Sequence, residues 1–295
     1  MSIFAGRTLI VAFEGWNDAA ESASGAAKLI CEKLDADIVA TVDPEDYYDF
    51  QFTRPNVSID AEGNRQIAWP STDFCSPSVE IAATNQNLSR IHVLLGTEPS
   101  RRWVSFTAEI LEMIEDREID AVIFLGAMLA DVPHTRPITV TATSQNEKVR
   151  NELEIDRSRY EGPVGILSVI GMALEKAGIP SVSLWASVPH YVHNTPSPKA
   201  TLALLVEVEK HLGVEFEHGN LADEAFAWER GIDEVAEGDE DMAGYIAQLE
   251  KTRDEVESPA ASGDALAKEF EKYLRASDEK PKDGPGTEGE PGQNS

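Results

Sequence analysis

Two short runs, His92-Val93-Leu94-Leu95 and Val122-Ile123-Phe124-Leu125, constrain this chain most, because neither alternates polar with apolar residues. A strand with one wet face alternates. An unbroken run needs cover on both faces, which is the situation of a central strand between two helix layers. Further strand signals lie at residues 8–13, 37–42, 57–60, 66–69, 138–143 and 181–186, with 91–95 and 121–125 containing the two runs. Glu62-Gly63-Asn64 reads as the hairpin turn between 57–60 and 66–69. Helical periodicity fills the gaps. Ala19, Ala23, Ala26, Ala27, Ile30 and Leu34 share one stripe behind Asp18, which with Glu21 reads as a capping box. Trp103, Phe106, Ile110 and Ile114 mark a second helix. Residues 166–177 form a third, stopped by Gly178 and Pro180. Ser197-Pro198 opens a fourth that Gly213 ends. This strand–helix alternation predicts an α/β sandwich over residues 1–217 with a mostly parallel or mixed sheet.

The composition shifts after Val214. Residues 218–275 are rich in Glu and Asp with sparse apolar anchors, which predicts an acidic helical extension, including a segment at 265–274. Residues 276–295 read as a disordered tail of Pro, Gly, Lys, Glu and Ser. The formal net charge of -28 repels phosphates, so neither nucleic acid nor an anionic membrane is expected as a partner. The acidic helices suggest at most a basic one. Cys31 and Cys75 have no zinc or disulfide spacing. No segment approaches the roughly 20 apolar residues of a spanning helix. A cytoplasmic protein is the expectation.

Polar residues gather where strands end, the usual place for sites in α/β sheets. Glu14-Gly15-Trp16-Asn17-Asp18 follows the first strand. Glu14 and Asp18 could act as acid, base or ligand group, although capping alone accounts for Asn17 or Asp18. Glu98 and Arg101-Arg102 follow the strand at 91–95, where they can bind an anion or neutralise local carboxylates. The stretch after Leu125, read as a loop over 126–137, brings Asp131, His134 and Arg136 close in sequence. Such a trio suits acid–base work or phosphate binding, or a rigid ion-paired loop. His190 and His193 lack a third metal ligand, so no metal is expected. There is no GxGxxG, Walker A or GxSxG motif, and no cofactor is expected.

An ordered set of segments resembles one family. Phe13-Glu14-Gly15-Trp16-Asn17-Asp18-Ala19, Leu94-Leu95-Gly96-Thr97-Glu98-Pro99 and Gly126-Ala127-Met128-Leu129-Ala130-Asp131-Val132-Pro133-His134-Thr135-Arg136 come first. Gly162-Pro163-Val164-Gly165-Ile166, Ala186-Ser187-Val188-Pro189-His190-Tyr191 and Pro196-Ser197-Pro198-Lys199-Ala200 follow. Together they resemble the actinobacterial branch of the proteasome assembly chaperone 2 family, over residues 8–215. The resemblance implies a phosphorylase/hydrolase-like three-layer fold, like that of purine nucleoside phosphorylases. It implies a homo-oligomer, often a trimer, whose partners are proteins such as proteasome subunits. It brings no catalytic residues. Several wider relatives dock through a C-terminal hydrophobic-Tyr-X tail. The sequence closes on Gly292-Gln293-Asn294-Ser295, with no such Tyr, so docking by that route is not expected. Two functions follow: a non-enzymatic assembly factor, or a protein acting on a small anionic or nucleoside-like ligand at a strand-end cleft. For either, the candidate residues are Glu14, Trp16, Asn17, Asp18, Glu98, Arg102, Asp131, His134 and Arg136.

Overall fold

The two unbroken runs lie inside a seven-stranded sheet, seen in a computed structural model that describes residues 2–257. The strands are β1 (Thr8–Glu14), β2 (Asp37–Thr41), β3 (Asn56–Ile59), β4 (Arg65–Ala68), β5 (Thr72–Ser76), β6 (Ile91–Thr97), β7 (Ala121–Ala130), β8 (Val140–Thr143) and β9 (Ser181–Pro189). The helices are α1 (Ser22–Lys33), α2 (Val79–Thr84), α3 (Trp103–Asp116), α4 (Glu147–Leu153), α5 (Ile166–Ala177), α6 (Pro198–Leu212), α7 (Leu221–Glu237) and α8 (Glu240–Glu257). Strand order in the main sheet is β2-β5-β6-β1-β7-β9-β8. The central strands β6, β1, β7 and β9 run parallel. β5, β2 and β8 join antiparallel towards the two edges. The fold is thus a three-layer α/β sandwich with a mixed, mostly parallel sheet.

Successive strand side chains point to opposite faces, and the core divides accordingly. On β1, Ile10 and Ala12 face the layer of α1 and α6, while Leu9, Val11 and Phe13 face α3 and α5. β7 repeats this with Ile123 and Leu125 on one side, Val122 and Phe124 on the other. All these side chains are buried. Each contributes up to about 1.5–3 kcal/mol when fully buried. The small face of α1 (Ala23, Ala26, Ala27) sits close to the sheet, with Thr201 of α6 near Gly25.

Three features depart from the expected pattern. β5 has neither an apolar run nor strict alternation to announce it, since only Phe74 and Cys75 of Thr72–Ser76 are apolar. Thr41 and Ser71 hydroxyls occupy the Asp73 carboxylate, at 2.7 and 2.8 Å. The short helices α2 and α4 were also missed, although Ser78 and Asn146 cap them. Residues 126–130 are strand rather than loop. β9 continues to Pro189 and pairs with β7 as far as Ala130. Gly126 is required there, since a Cβ would lie 2.7 Å from the Trp185 ring.

The acidic region from 218 begins as two helices. Leu221 and Phe216 join the core beside α6. The expected helix at 265–274 and tail at 276–295 lie outside the described residues. Among the described residues no helix is long and apolar enough to cross a membrane.

Candidate functional site

β1 ends on Glu14, and the chain turns on Gly15, whose φ of +113° suits glycine. Asn17 is then carried inward and is 1% exposed. Its carbonyl accepts from Ala127 N–H at 2.8 Å, and its amide donates to Glu98 Oε1 at 2.8 Å. The same Glu98 oxygen accepts from Ile166 N–H at 2.8 Å, at the first residue of α5. A carboxylate is favoured at a helix N-terminus, where backbone amides lack partners. Glu98 N–H in turn donates to the Glu14 carbonyl at 3.0 Å. Gly165 packs so tightly on Asn17 that a Cβ would lie 2.2 Å from its amide oxygen. Glu14 itself accepts from Lys28 Nζ at 2.6 Å and from Thr97 Oγ1 at 3.4 Å. Three strand ends and one helix start are therefore cross-linked into a rim.

Asp18 closes the rim differently from the expected capping box. A single 3-10 turn, Ala19–Glu21, separates it from α1. Its Oδ1 accepts from Ala23 and Ser24 N–H at 2.7 and 3.2 Å, while Glu21 makes no cap hydrogen bond. The chain needs that extra turn because Ala20 and Glu21 take left-handed φ. Burial raises the Asp18 carboxyl above its ordinary 3.8, with the Ser24 and Ala23 contacts opposing this and the Glu14 charge adding to it. For an acid raised in the folded state, stability is lost as pH rises through the folded value. Asp18→Asn removes that loss and keeps an acceptor oxygen. It is expected to shift stability by under about 1 kcal/mol, whereas Asp18→Ala costs about 1–2 kcal/mol. Urea midpoints of the two variants check this; equal midpoints would contradict it.

The remaining candidates point elsewhere. Arg102 starts α3 with φ 57° and pairs with Asp46 at 2.6 Å beside the Tyr47 ring, so it neutralises a carboxylate outside the rim. Asp131, His134 and Arg136 do not converge. Asp131 meets His190 Nδ1 at 3.2 Å. His134 is fully buried. The Tyr191 hydroxyl accepts from its backbone N–H at 2.8 Å and lies 2.9 Å from Nδ1. Nε2 lies 3.0 Å from Asp233 of α7. A ring with its hydrogen on Nε2 satisfies all three contacts. Arg136 forks onto Asp254 of α8, with Nε and Nη2 each at 2.8 Å, and reaches Glu250 at 3.3 Å. Lys199 bonds the His134 carbonyl at 2.5 Å and also Glu229 of α7. The loop after β7 is thus the seat on which α7 and α8 rest. The acidic residues Glu229, Asp233, Glu250 and Asp254 are turned inward to it.

Sequence reasoning missed the groups that tie the rim: Lys28, Thr97 and Gly165 with Ile166 N–H. It also missed Tyr191, Asp233 and Asp254. Gly165, Tyr191 and Lys199 lay in segments that carried the family resemblance, which was the available signal. Among the described residues no three His, Cys, Asp or Glu side chains are placed to hold a metal. Cavities of about 590, 520 and 530 Å³ are lined by none of Glu14, Asn17 or Glu98. Large apolar side chains are exposed at the same end: Trp16 (62%), Met128 and Leu129 at the top of β7, and Tyr160 and Val164 before α5.

The PAC2 family model matches residues 12–236. A PAC2 family protein from Streptomyces avermitilis is 39% identical, covering 81% of this chain and 99% of its own, with a TM-score of 0.73. A Mycobacterium tuberculosis proteasome-assembly chaperone homologue is 38% identical, with 81% and 99% covered and a TM-score of 0.71. Pyrococcus furiosus PbaA, described as an archaeal homologue of proteasome-assembly chaperone, shares the fold at 18% identity, 84% and 96% coverage and a TM-score of 0.56. No functionally curated protein matches. With most of its described length matched by the family model and by relatives close to 40% identical, the chain belongs to the PAC2 family.

Proposed function

We propose that this protein is a non-enzymatic, cytoplasmic assembly factor that binds proteasome subunits through the strand-end rim and acts as a homo-oligomer, with a trimer favoured by the family resemblance. One observation carries the reading. The rim is held as a fixed frame by bonds within the chain: Asn17 and Ile166 N–H on Glu98 Oε1, Ala23 N–H on Asp18 Oδ1, and Lys28 on Glu14 Oε1. What faces outward is apolar: Trp16, Met128 and Leu129. Large exposed side chains on a rigid frame suit protein recognition, where a few aromatic anchors carry most of the binding. The relation to a mycobacterial proteasome-assembly chaperone homologue supports the choice of partner. The ligand-binding alternative loses its motive, because Asp131, His134 and Arg136 engage separate intramolecular partners.

The test is co-purification of proteasome subunits with tagged protein. Trp16→Ala combined with Met128→Ala is expected to lower recovery at least about tenfold, equivalent to about 1.4 kcal/mol, with an unchanged circular dichroism spectrum. Recovery of no proteasome subunit by the parent protein, or equal recovery by the variant, would overturn the reading.

A further inference from the structure

β3 and β4 make a two-stranded sheet of their own, paired with no strand of the main sheet. They form an arm between β2 and β5. Val57 stands opposite Ile67, and Ile59 opposite Arg65. Side chains directly opposite share a face, as do alternate residues along a strand. Val57, Ile59 and Ile67 therefore lie on one face, which Trp69 continues and Arg65 borders at the turn end. Asn56, Ser58, Gln66 and Ala68 lie on the other. This is the pattern of a half-buried strand. Yet every residue of both strands is exposed, Ile59 at 71%. Phe52 at the base of the arm is 86% exposed, and Trp69 touches only partly buried Phe50, edge-on at 4.9 Å between centroids.

Such a ribbon is at best marginally stable in water without cover. Its apolar side chains present on the order of 500 Å². That is a large part of the roughly 800 Å² each partner buries in a standard interface. Charge selects the occupant. The chain carries -28, but residues 50–70 set Arg54 and Arg65 against Asp60 and Glu62 and are neutral. Asp60 is also tied into its own turn, accepting from the N–H groups of Glu62 and Asn64 and from Gln66 Nε2. A basic partner would be drawn to the acidic surfaces instead. A second acidic copy approaches with least repulsion where the net charge is zero. Apolar, charge-poor patches are what permanent contacts between copies use.

We propose that the β3–β4 arm docks against a second copy of this chain, which covers its apolar face. The inference rests on the homo-oligomer reading above and assigns the surface that makes the contact. Sedimentation velocity at micromolar concentration tests it on the full chain. The parent protein is expected at a whole multiple of 32.2 kDa. The pair Ile59→Asp with Ile67→Asp is expected to sediment as the 32.2 kDa monomer, with an unchanged melting temperature for the core. Val57→Asp alone is a milder second variant that should raise the monomer fraction. A monomeric parent would overturn both the homo-oligomer reading and this one. An assembly whose mass the arm variants leave intact would overturn the arm alone, including the case where those variants lose a different protein.

Discussion

Replacing Glu98 by alanine is expected to destabilise the protein by about 2–4 kcal/mol, because two donors lose one charged acceptor. The buried Asn17 amide donates to no other acceptor among the described residues, and Ile166 N–H opens α5. Hydrogen bonds to a charged group contribute about 1.5–3 kcal/mol each, and the partial exposure of Glu98 places the sum towards the lower end. In a chain of this size the melting temperature should fall by roughly 3–7 °C. Glu98→Gln keeps an acceptor oxygen, and neutral bonds are about half as strong, so its loss should be about half. Gly165→Ala acts on the same joint from the other side. Its Cβ would lie 2.2 Å from the Asn17 amide oxygen and must push it off Glu98. Thermal melts followed by circular dichroism decide the matter. A Glu98→Ala protein that melts with the parent would show that the rim is not held by this residue.

His134→Ala should cost a similar amount, about 2–4 kcal/mol, by a different route. The fully buried ring joins the loop after β7 to Asp233 of α7 and to Tyr191. Its removal leaves a cavity beside Trp228 and takes from Tyr191 and Asp233 the ring that bridges them. The expected signature is local: tryptic cleavage at Arg230, Lys251 and Arg253 should accelerate well before the core melts. Acid should reproduce part of it. Arg136 holds the Asp254 carboxyl below its ordinary 3.8. An acid lowered in the folded state contributes fully above the unfolded value and loses that contribution as pH falls through the folded one. The α8 contact should therefore be steady from neutral pH to about 4 and loosen below it. Unchanged cleavage in His134→Ala would contradict the seat described for α7 and α8.

The layered fold was legible in the sequence because buried parallel strands leave unbroken apolar runs such as Val122–Leu125. The end of α5 and both ends of α6 were marked by residues that take special backbone angles or caps: Gly178, Ser197 and Gly213. β5 was illegible because only Phe74 and Cys75 of its five residues are apolar, and pairing on both sides and hydroxyls around Asp73 support the rest. The candidate site was legible only in part. Glu14, Asn17, Asp18 and Glu98 do share one rim, since each sits at or beyond the end of a parallel strand. Asp131, His134 and Arg136 are near in sequence yet part company. Their partners, His190, Asp233 and Asp254, lie 59 to 118 residues further on, and no local pattern announces them.

The most direct test of a recognition rim is hydrogen–deuterium exchange of the full chain with and without proteasome subunits. Binding is predicted to slow exchange in peptides spanning 14–18, 126–131 and 160–166, which carry Trp16, Met128, Leu129, Tyr160 and Val164. No protection anywhere, or protection confined to residues 218–257, would contradict the account.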